Sequence, residues 1–174
     1  LAALVHRNKT GEGQKVDTSL FEAGIVHTYW QSAIAGATGQ SPGPLGSAHP
    51  LTAPYQAFKT MDKWITAGAS NQNTWLMLLK AINRMDLQEN EMFSSNFNRK
   101  KNIIQLVEIL NAELIKKTSD EWLKIFDDNG LPCGPINSIN EMFEDPQTIK
   151  REMIIEVDNK KAGTSKAIGM PIKF

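Results

Sequence analysis

Few side chains in this sequence have types and spacings that could do chemistry. The three histidines, His6, His27 and His49, are far apart. His6 falls near the end of an opening helix, where an imidazolium interacts favourably with the helix dipole. His27 lies on a helix face beside Trp30 and reads as a packed or hydrogen-bonded side chain. His49 follows Gly46 and Ser47 in a Gly/Pro-rich loop; it is either a plain loop histidine or one that a glycine-bearing backbone brings close to a ligand. Cys133 stands alone between prolines, and with no Cys-x-x-Cys, His-Glu-x-x-His or EF-hand spacing no metal site is expected. Gly11-Glu12-Gly13 follows a helix and precedes an extended stretch, the reverse of the order in a phosphate-binding loop. Asp127-Asp128 reads as a solvated pair in the last turn of a helix. The four tryptophans fall at helical or strand spacing and read as core. Residue chemistry alone nominates no nucleophile.

The elements that must position these groups follow from periodicity and capping signals. Leu1 to Arg7 read as the last turns of a helix without a start signal, from which the chain is expected to be a piece of a longer one. Arg7 to Gln14 form a loop, Lys15 to Thr18 an extended stretch, and Ser19 with Glu22 caps a helix from about Leu20 to Ile34. From Ala35 to Pro54 the composition turns to Gly, Pro, Ser and Thr, a loop of a length that is more often functional or disordered than idle. Tyr55 to Thr60 and Trp64 to Ala69 predict a hairpin. Trp75, Leu78, Leu79 and Ile82 predict an amphipathic helix capped by Asn71 or Asn73. Asp86 to Asn98 is polar and predicts a surface connection. Ile103, Val107, Leu110 and Leu114 predict a single helix from Arg99 to Lys117. Thr118 with Glu121 caps a helix carrying Trp122, Ile125 and Phe126 that Gly130 ends. Gly130 to Pro135 reads as a rigid extended link, since prolines hold themselves and their predecessors out of helix. Ser138 with Glu141 caps a short helix stopped at Asp145-Pro146. Met153 to Val157 and Ala167 to Met170 predict two strands around a Lys/Gly turn.

Nineteen basic side chains balance nineteen acidic ones, which leaves no electrostatic footprint for nucleic acid or an anionic membrane. One cysteine excludes an internal disulfide and suggests an intracellular protein. No apolar run approaches the roughly 20 residues that span a bilayer, and no leader pattern opens the chain.

Leu4-Val5-His6-Arg7-Asn8-Lys9-Thr10-Gly11-Glu12-Gly13-Gln14-Lys15-Val16-Asp17-Thr18-Ser19-Leu20 resembles a signature of the class III CoA-transferases, the CaiB/BaiF family. Pro54-Tyr55-Gln56-Ala57-Phe58 with Asp62, Thr118 to Trp122, Gly130 to Ile136, Asp145-Pro146-Gln147 with Arg151-Glu152-Met153, and Gly169 to Phe174 follow in the family's order. The resemblance implies an α/β fold: the end of a Rossmann-like large domain plus an α+β small domain. It divides the chain into residues 1–54, the last part of the large domain and a linker with the active-site loop; 55–158, the small domain; and 159–174, the return towards the large domain.

The implied activity is transfer of coenzyme A between an acyl-CoA and a carboxylic acid, in cytoplasmic homodimers with interlocked subunits. An aspartate attacks the donor thioester, a mixed anhydride forms, and an aspartyl-CoA thioester then passes CoA to the acceptor carboxylate. Within the family that aspartate and most CoA-binding residues precede the Thr-Gly-x-Gly-Gln segment; Asp17 is not its counterpart. No catalytic residue is therefore nominated in this chain. The site elements it retains are Gly46, Ser47 and His49, with Ala48, where the family places a glycine-containing loop that shields intermediates from water. The glycine run of the formyl-CoA:oxalate branch is missing there, which points to a dicarboxylate, carnitine or acyl-CoA member. An α-methylacyl-CoA racemase-like isomerase of the same fold, or a non-catalytic module, are the alternatives.

Overall fold

The computed structural model describes residues 1–161 and 163–173, and the chain divides into two compact units, Leu1–Pro44 and Leu45–Phe174. Ala162 of the Lys/Gly turn and Phe174 of the closing motif lie outside the described residues.

The first unit holds α1 (Ala2–Thr10), α2 (Leu20–His27) and α3 (Tyr29–Thr38). Helix α1 ends at Gly11, whose φ of 81° is the left-handed conformation glycine adopts at low cost. Ser19 caps α2 as expected, accepting the Glu22 N–H. The single helix expected to reach Ile34 is two helices and continues to Thr38. Thr28 makes the break: its hydroxyl and its amide both turn back to the Ile25 carbonyl, and its Oγ1 also meets Ser32 Oγ at 2.7 Å. None of the three helices contains a fully buried residue, and Leu20, Phe21, Val26 and Tyr29 are exposed. The unit thus presents apolar helix surface that it does not itself cover.

The second unit is built on an antiparallel sheet of β1 (Tyr55–Lys59), β2 (Trp64–Gly68) and β3 (Cys133–Pro135), in that order. Tyr55 pairs with Gly68, Phe58 with Ile65, and Thr66 with Gly134. The expected hairpin is present; the extended link at 130–135 proves to be a third strand, because β2 pairs with it across a long sequence separation. Helices α4 (Gln72–Ala81), α5 (Asn96–Lys101), α6 (Ile103–Leu114) and α7 (Ser119–Asp128) accompany the sheet. The core joins Phe58, Ile65, Trp75, Leu78, Leu79, Leu106, Leu110, Leu114, Trp122 and Phe126. Trp122 settles its indole N–H on the Leu114 carbonyl at 2.7 Å. Full reciprocal caps form at Asn71/Thr74, Thr118/Glu121 and Ser138/Glu141.

Three expectations for this unit are corrected. The helix predicted from Arg99 to Lys117 is interrupted at Asn102, whose side-chain amide donates to the Asn98 and Met92 carbonyls. The buried face of α6 is consequently Leu106, Leu110 and Leu114, with Ile103 and Val107 half-buried. The polar stretch 86–98 is no mere surface connection, since Leu87 and Phe93 are core residues. Asp145-Pro146 ends α8 (Ile139–Glu144), but Asp145 also caps the next helix, α9 (Pro146–Lys150), with proline at its first turn. Strands β4 (Ile154–Asn159) and β5 (Gly163–Ile168) close the unit as a second, two-stranded sheet.

The β1–β2 turn is tied to α7 by Asp62. Its Oδ1 accepts the Ser119 N–H at 2.7 Å, the Lys63 N–H at 2.9 Å and the Thr60 hydroxyl at 3.0 Å. The Ser119 amide, foremost among these donors, holds the Asp62 carboxyl below its usual range. Nearby, Lys63 Nζ lies 2.6 Å from Glu141 and, with Ser138, brings that carboxyl down to about 2. Both folded-state values are depressed, so their stabilisation is complete above the unfolded carboxylate values near 4 and is lost as pH falls through the folded ones. Thermal melts of the wild type are therefore expected to lose stability between about pH 4 and pH 2, and Asp62→Asn is expected to melt lower at neutral pH with a shallower acid slope. A variant with the wild-type acid slope would remove Asp62 from this role.

Candidate functional site

The loop that carries Gly46, Ser47 and His49 runs along the open edge of the three-stranded sheet, and the order β1-β2-β3 explains why. Strand β1 is an edge strand with unpaired backbone groups. Ser47 Oγ accepts the Ala57 N–H at 3.0 Å, and the His49 N–H donates to the Tyr55 carbonyl at 2.9 Å. The loop thereby does part of the work of a missing strand. Gly46 turns the chain into this position with φ 58°, and the Ala48 N–H closes the turn on the Leu45 carbonyl at 3.0 Å. Gly46 and Ser47 are exposed, whereas Ala48, His49 and Pro50 are half-buried.

His49 organises the loop's second half. Its Nδ1 accepts the backbone N–H groups of Leu51 and Thr52, each at 3.1 Å, and lies 3.0 Å from Thr52 Oγ1. Two amides aimed at Nδ1 require a lone pair there, so the neutral ring carries its proton on Nε2. The imidazole also stacks on Tyr55, with ring centroids 5.3 Å apart and planes 2° from parallel. His49 is a structural part of the loop, and Nδ1 is committed rather than available as a base.

Helix α5 fastens the same segment from the other side. Asn96 accepts the Ala53 N–H at 3.0 Å and donates to the Leu51 carbonyl at 2.9 Å; Arg99 Nε donates to the Ala53 carbonyl at 2.7 Å; Lys100 Nζ reaches the His49 carbonyl at 3.1 Å. Arg99 also donates from Nη1 to Gln72 Oε1 and the Phe93 carbonyl, and its guanidinium lies 4.8 Å from the Trp75 ring centroid. It is buried, and among the described residues it forms no ion pair. Burial pushes its pKa down from the ordinary arginine value. Neutral carbonyls and an aromatic face take the place of a counter-ion.

Beyond Tyr55 lies a cleft of about 340 Å³ whose walls include Tyr55, Thr66, Gly68, Ser70, Pro132 and Cys133. Among the described residues no charged side chain lines it. A Cβ at Gly68 would come within 3.1 Å of the Tyr55 ring, so glycine lets the ring lie close against β2 at this wall. Burial raises the pKa of the Cys133 thiol, the opposite of nucleophilic activation. The arrangement offers hydroxyl donors, an aromatic wall and a backbone turn, and no group poised for covalent catalysis.

The remaining sequence candidates do not join this site. His6 and His27 are exposed on α1 and at the end of α2. Asp17 is exposed and faces Lys15 at 3.6 Å. Asp128 pairs with Lys124 at 3.0 Å on the surface of α7. Trp75 and Trp122 are core residues as expected, but Trp30 and Trp64 are substantially exposed. Among the described residues no group of three or more His, Cys, Asp or Glu side chains is placed to hold a metal ion, and no helix is long and apolar enough to cross a membrane. Sequence reasoning missed Tyr55, Asn96, Arg99 and Lys100. The spacing i, i+3, i+4 of the last three was visible, and it places them on one side of a helix.

The family model described as CoA-transferase family III matches residues 1–174. An acyl-CoA transferase from Fusarium pseudograminearum is 37% identical over the whole chain, which covers 39% of that protein. Succinyl-CoA:glutarate CoA-transferase from Mus musculus is 30% identical, again over the whole chain and 40% of the relative. The crystal structure of a CaiB/BaiF family protein from Brucella suis superposes with a TM-score of 0.81 at 31% identity, covering 99% of this chain and 44% of that one. The chain thus spans about two fifths of the length of the curated relatives it matches.

Proposed function

The chain belongs to CoA-transferase family III, and from this we propose that it is the later part of an enzyme that moves coenzyme A between carboxylic acids. The match over all 174 residues carries the reading, and the shared fold supports it. Residues 1–54 then complete a large domain and deliver the active-site loop, 55–158 form the small domain, and 159–174 lead back. The nucleophilic aspartate belongs to the part of the enzyme that precedes this chain.

In the reaction the aspartate carboxylate attacks the donor thioester, giving a mixed anhydride and CoA thiolate. The thiolate attacks the aspartyl carbonyl and releases the donor acid, leaving an aspartyl-CoA thioester. The acceptor carboxylate displaces the thiolate to form a second anhydride, and the thiolate then takes the acyl group and frees the aspartate. Both anhydride and thioester are vulnerable to water. The 46–53 loop supplies the shield, with Gly46 at its turn and the Ser47 hydroxyl at its exposed end. The mouse relative's name, and the absence of a glycine run in the loop, favour dicarboxylic acids as substrates. The uncovered apolar surface of α2 and α3 is where the rest of the large domain would pack, and a cytoplasmic homodimer of the interlocked kind is part of the same proposal, taken from the family resemblance.

The test is to incubate the full-length enzyme with succinyl-CoA and trap with hydroxylamine. An aspartyl hydroxamate, and transfer of CoA to glutarate, are the expected results. Exchange of the α-proton without an adduct would select an isomerase instead. The 174-residue chain alone is expected to show no turnover, and measurable transfer by it would place the nucleophile here.

A further inference from the structure

We propose that α5 fixes the base of the 46–53 loop so that only its Gly46-Ser47 end opens, with Asn96 and Lys100 as positioning residues that limit water at the reacting groups. The inference rests on the reading above that this loop shields those groups. The fastening begins at His49 and runs to Ala53. Every carbonyl it uses, those of His49, Leu51 and Ala53, is held by a side chain of α5, and the Ala53 N–H is held by Asn96. Between these anchors the Leu51 and Thr52 amides are gathered onto His49 Nδ1. The segment has no remaining freedom to swing without breaking several bonds together.

The other end is held differently. Ser47 contributes one hydrogen bond, from the Ala57 amide, and Gly46 stands in open space with φ 58°. Opening there breaks the Ala57–Ser47 hydrogen bond and the Ala48–Leu45 bond of the turn, against the larger set of bonds that hold the base. The loop is therefore a flap with a fixed base and a loose end, and a glycine sits where the backbone must rotate.

The anchor itself is braced. Ser95 caps α5 by accepting the Asn98 N–H at 3.1 Å, Asn98 donates to the Glu91 carbonyl at 2.9 Å, and Asn102 reaches the Met92 carbonyl at 3.1 Å. Arg99 links the same helix to the Phe93 carbonyl and to Gln72 on α4. A six-residue helix has little stability of its own, so these links to residues 91–95 and to α4 are what let α5 act as a rigid anchor.

Asn96→Ala and Lys100→Met in the full-length enzyme test the proposal, because neither side chain is buried. Hydrogen exchange should show lost protection at the Leu51, Thr52 and Ala53 amides with little change in Tm. Transfer from succinyl-CoA should fall while its hydrolysis rises, raising the hydrolysis-to-transfer ratio about tenfold, a fraction of the roughly hundredfold that a 1 Å misplacement can cost. Asn96→Asp keeps the acceptor and loses the donor, so it should restore protection at Ala53 while the Leu51–Thr52 peptide, whose carbonyl it no longer holds, stays loosened at the Thr52 amide. Unchanged protection, or a loosened loop with an unchanged ratio, would overturn the proposal. A wild-type enzyme that transfers nothing would instead overturn the reading of the reaction, and the exchange data would still decide whether α5 fastens the loop.

Discussion

Replacing Arg99 by methionine is expected to destabilise the second unit by about 3 kcal/mol, lowering its melting temperature by roughly 10 °C. Methionine fills much of the volume but donates nothing. The carbonyls of Ala53 and Phe93, both buried residues, would lose the donor that Arg99 gives each of them. Each buried carbonyl left unpaired costs about 1–3 kcal/mol, and relief from burying the guanidinium offsets part of that. Loss of the contact over Trp75 adds a smaller increment of about 1 kcal/mol.

Arg99→Lys separates charge from geometry. The three acceptors, Ala53 O, Phe93 O and Gln72 Oε1, are met by two different nitrogens of a planar fork. An ammonium on a flexible stem cannot address them in the same directions, so lysine should recover less than half of the loss. A methionine variant within about 1 kcal/mol of the wild type would mean that the carbonyls find other partners, and the account of Arg99 would fail. A lysine variant as stable as the wild type would show that a buried positive charge over Trp75 is sufficient.

The expectation that Arg99 opens a long helix shows where residue types stop being informative. Helix caps were legible because donor and acceptor lie three residues apart in sequence; Thr118 with Glu121 and Ser138 with Glu141 form the reciprocal bonds their spacing predicts. The hairpin at Tyr55 and Trp64 was legible for a similar reason, through local alternation. Strand β3 was not, since Cys133 and Gly134 become strand residues only by pairing with Ala67 and Thr66. Phe93 was hidden in a polar stretch because Leu87, Met92, Phe93 and Phe97 are too few and too unevenly spaced to show a period. The break at Asn102 depends on a carbonyl ten residues away.

The site divides along the same line. Gly46, Ser47 and His49 stood out because glycine, serine and histidine have recognisable chemistry and because the family resemblance places a loop there. The anchors did not, because Asn96, Arg99 and Lys100 bind main-chain carbonyls, and a carbonyl leaves no trace in residue identity. His49 itself reads differently with its partners known. Its Nδ1 spends its lone pair on two amides, so the residue shapes the loop from within.

Gly169→Ala is expected to have the other large effect, and it should be local. Gly169 is buried, and a Cβ at this position would overlap the carbonyl oxygen of Glu152, a backbone atom that cannot simply rotate away. Glu152 is already in the left-handed region at φ 51°, which a residue with a Cβ occupies at a cost of about 1–2 kcal/mol. Its carbonyl is further engaged by Lys173 Nζ at 3.2 Å, while the Gly169 N–H donates to Met153 at 2.7 Å. Moving the Glu152 peptide to admit a methyl group would strain these contacts at the point where β4 and β5 begin to pair, next to Ile154 and Ile168. The cost should sit at the upper end of the overpacking range, about 3 kcal/mol. Exchange protection should fall along Ile154–Asn159 and Gly163–Ile168, with the three-stranded sheet unaffected. Gly163→Ala provides the contrast: at φ 78° a Cβ has no neighbour within 4 Å among the described residues, so it bears only the left-handed conformational penalty of about 1–2 kcal/mol. If the two alanine variants lose protection equally, the close approach of Gly169 to Glu152 is not what sets the register of this hairpin.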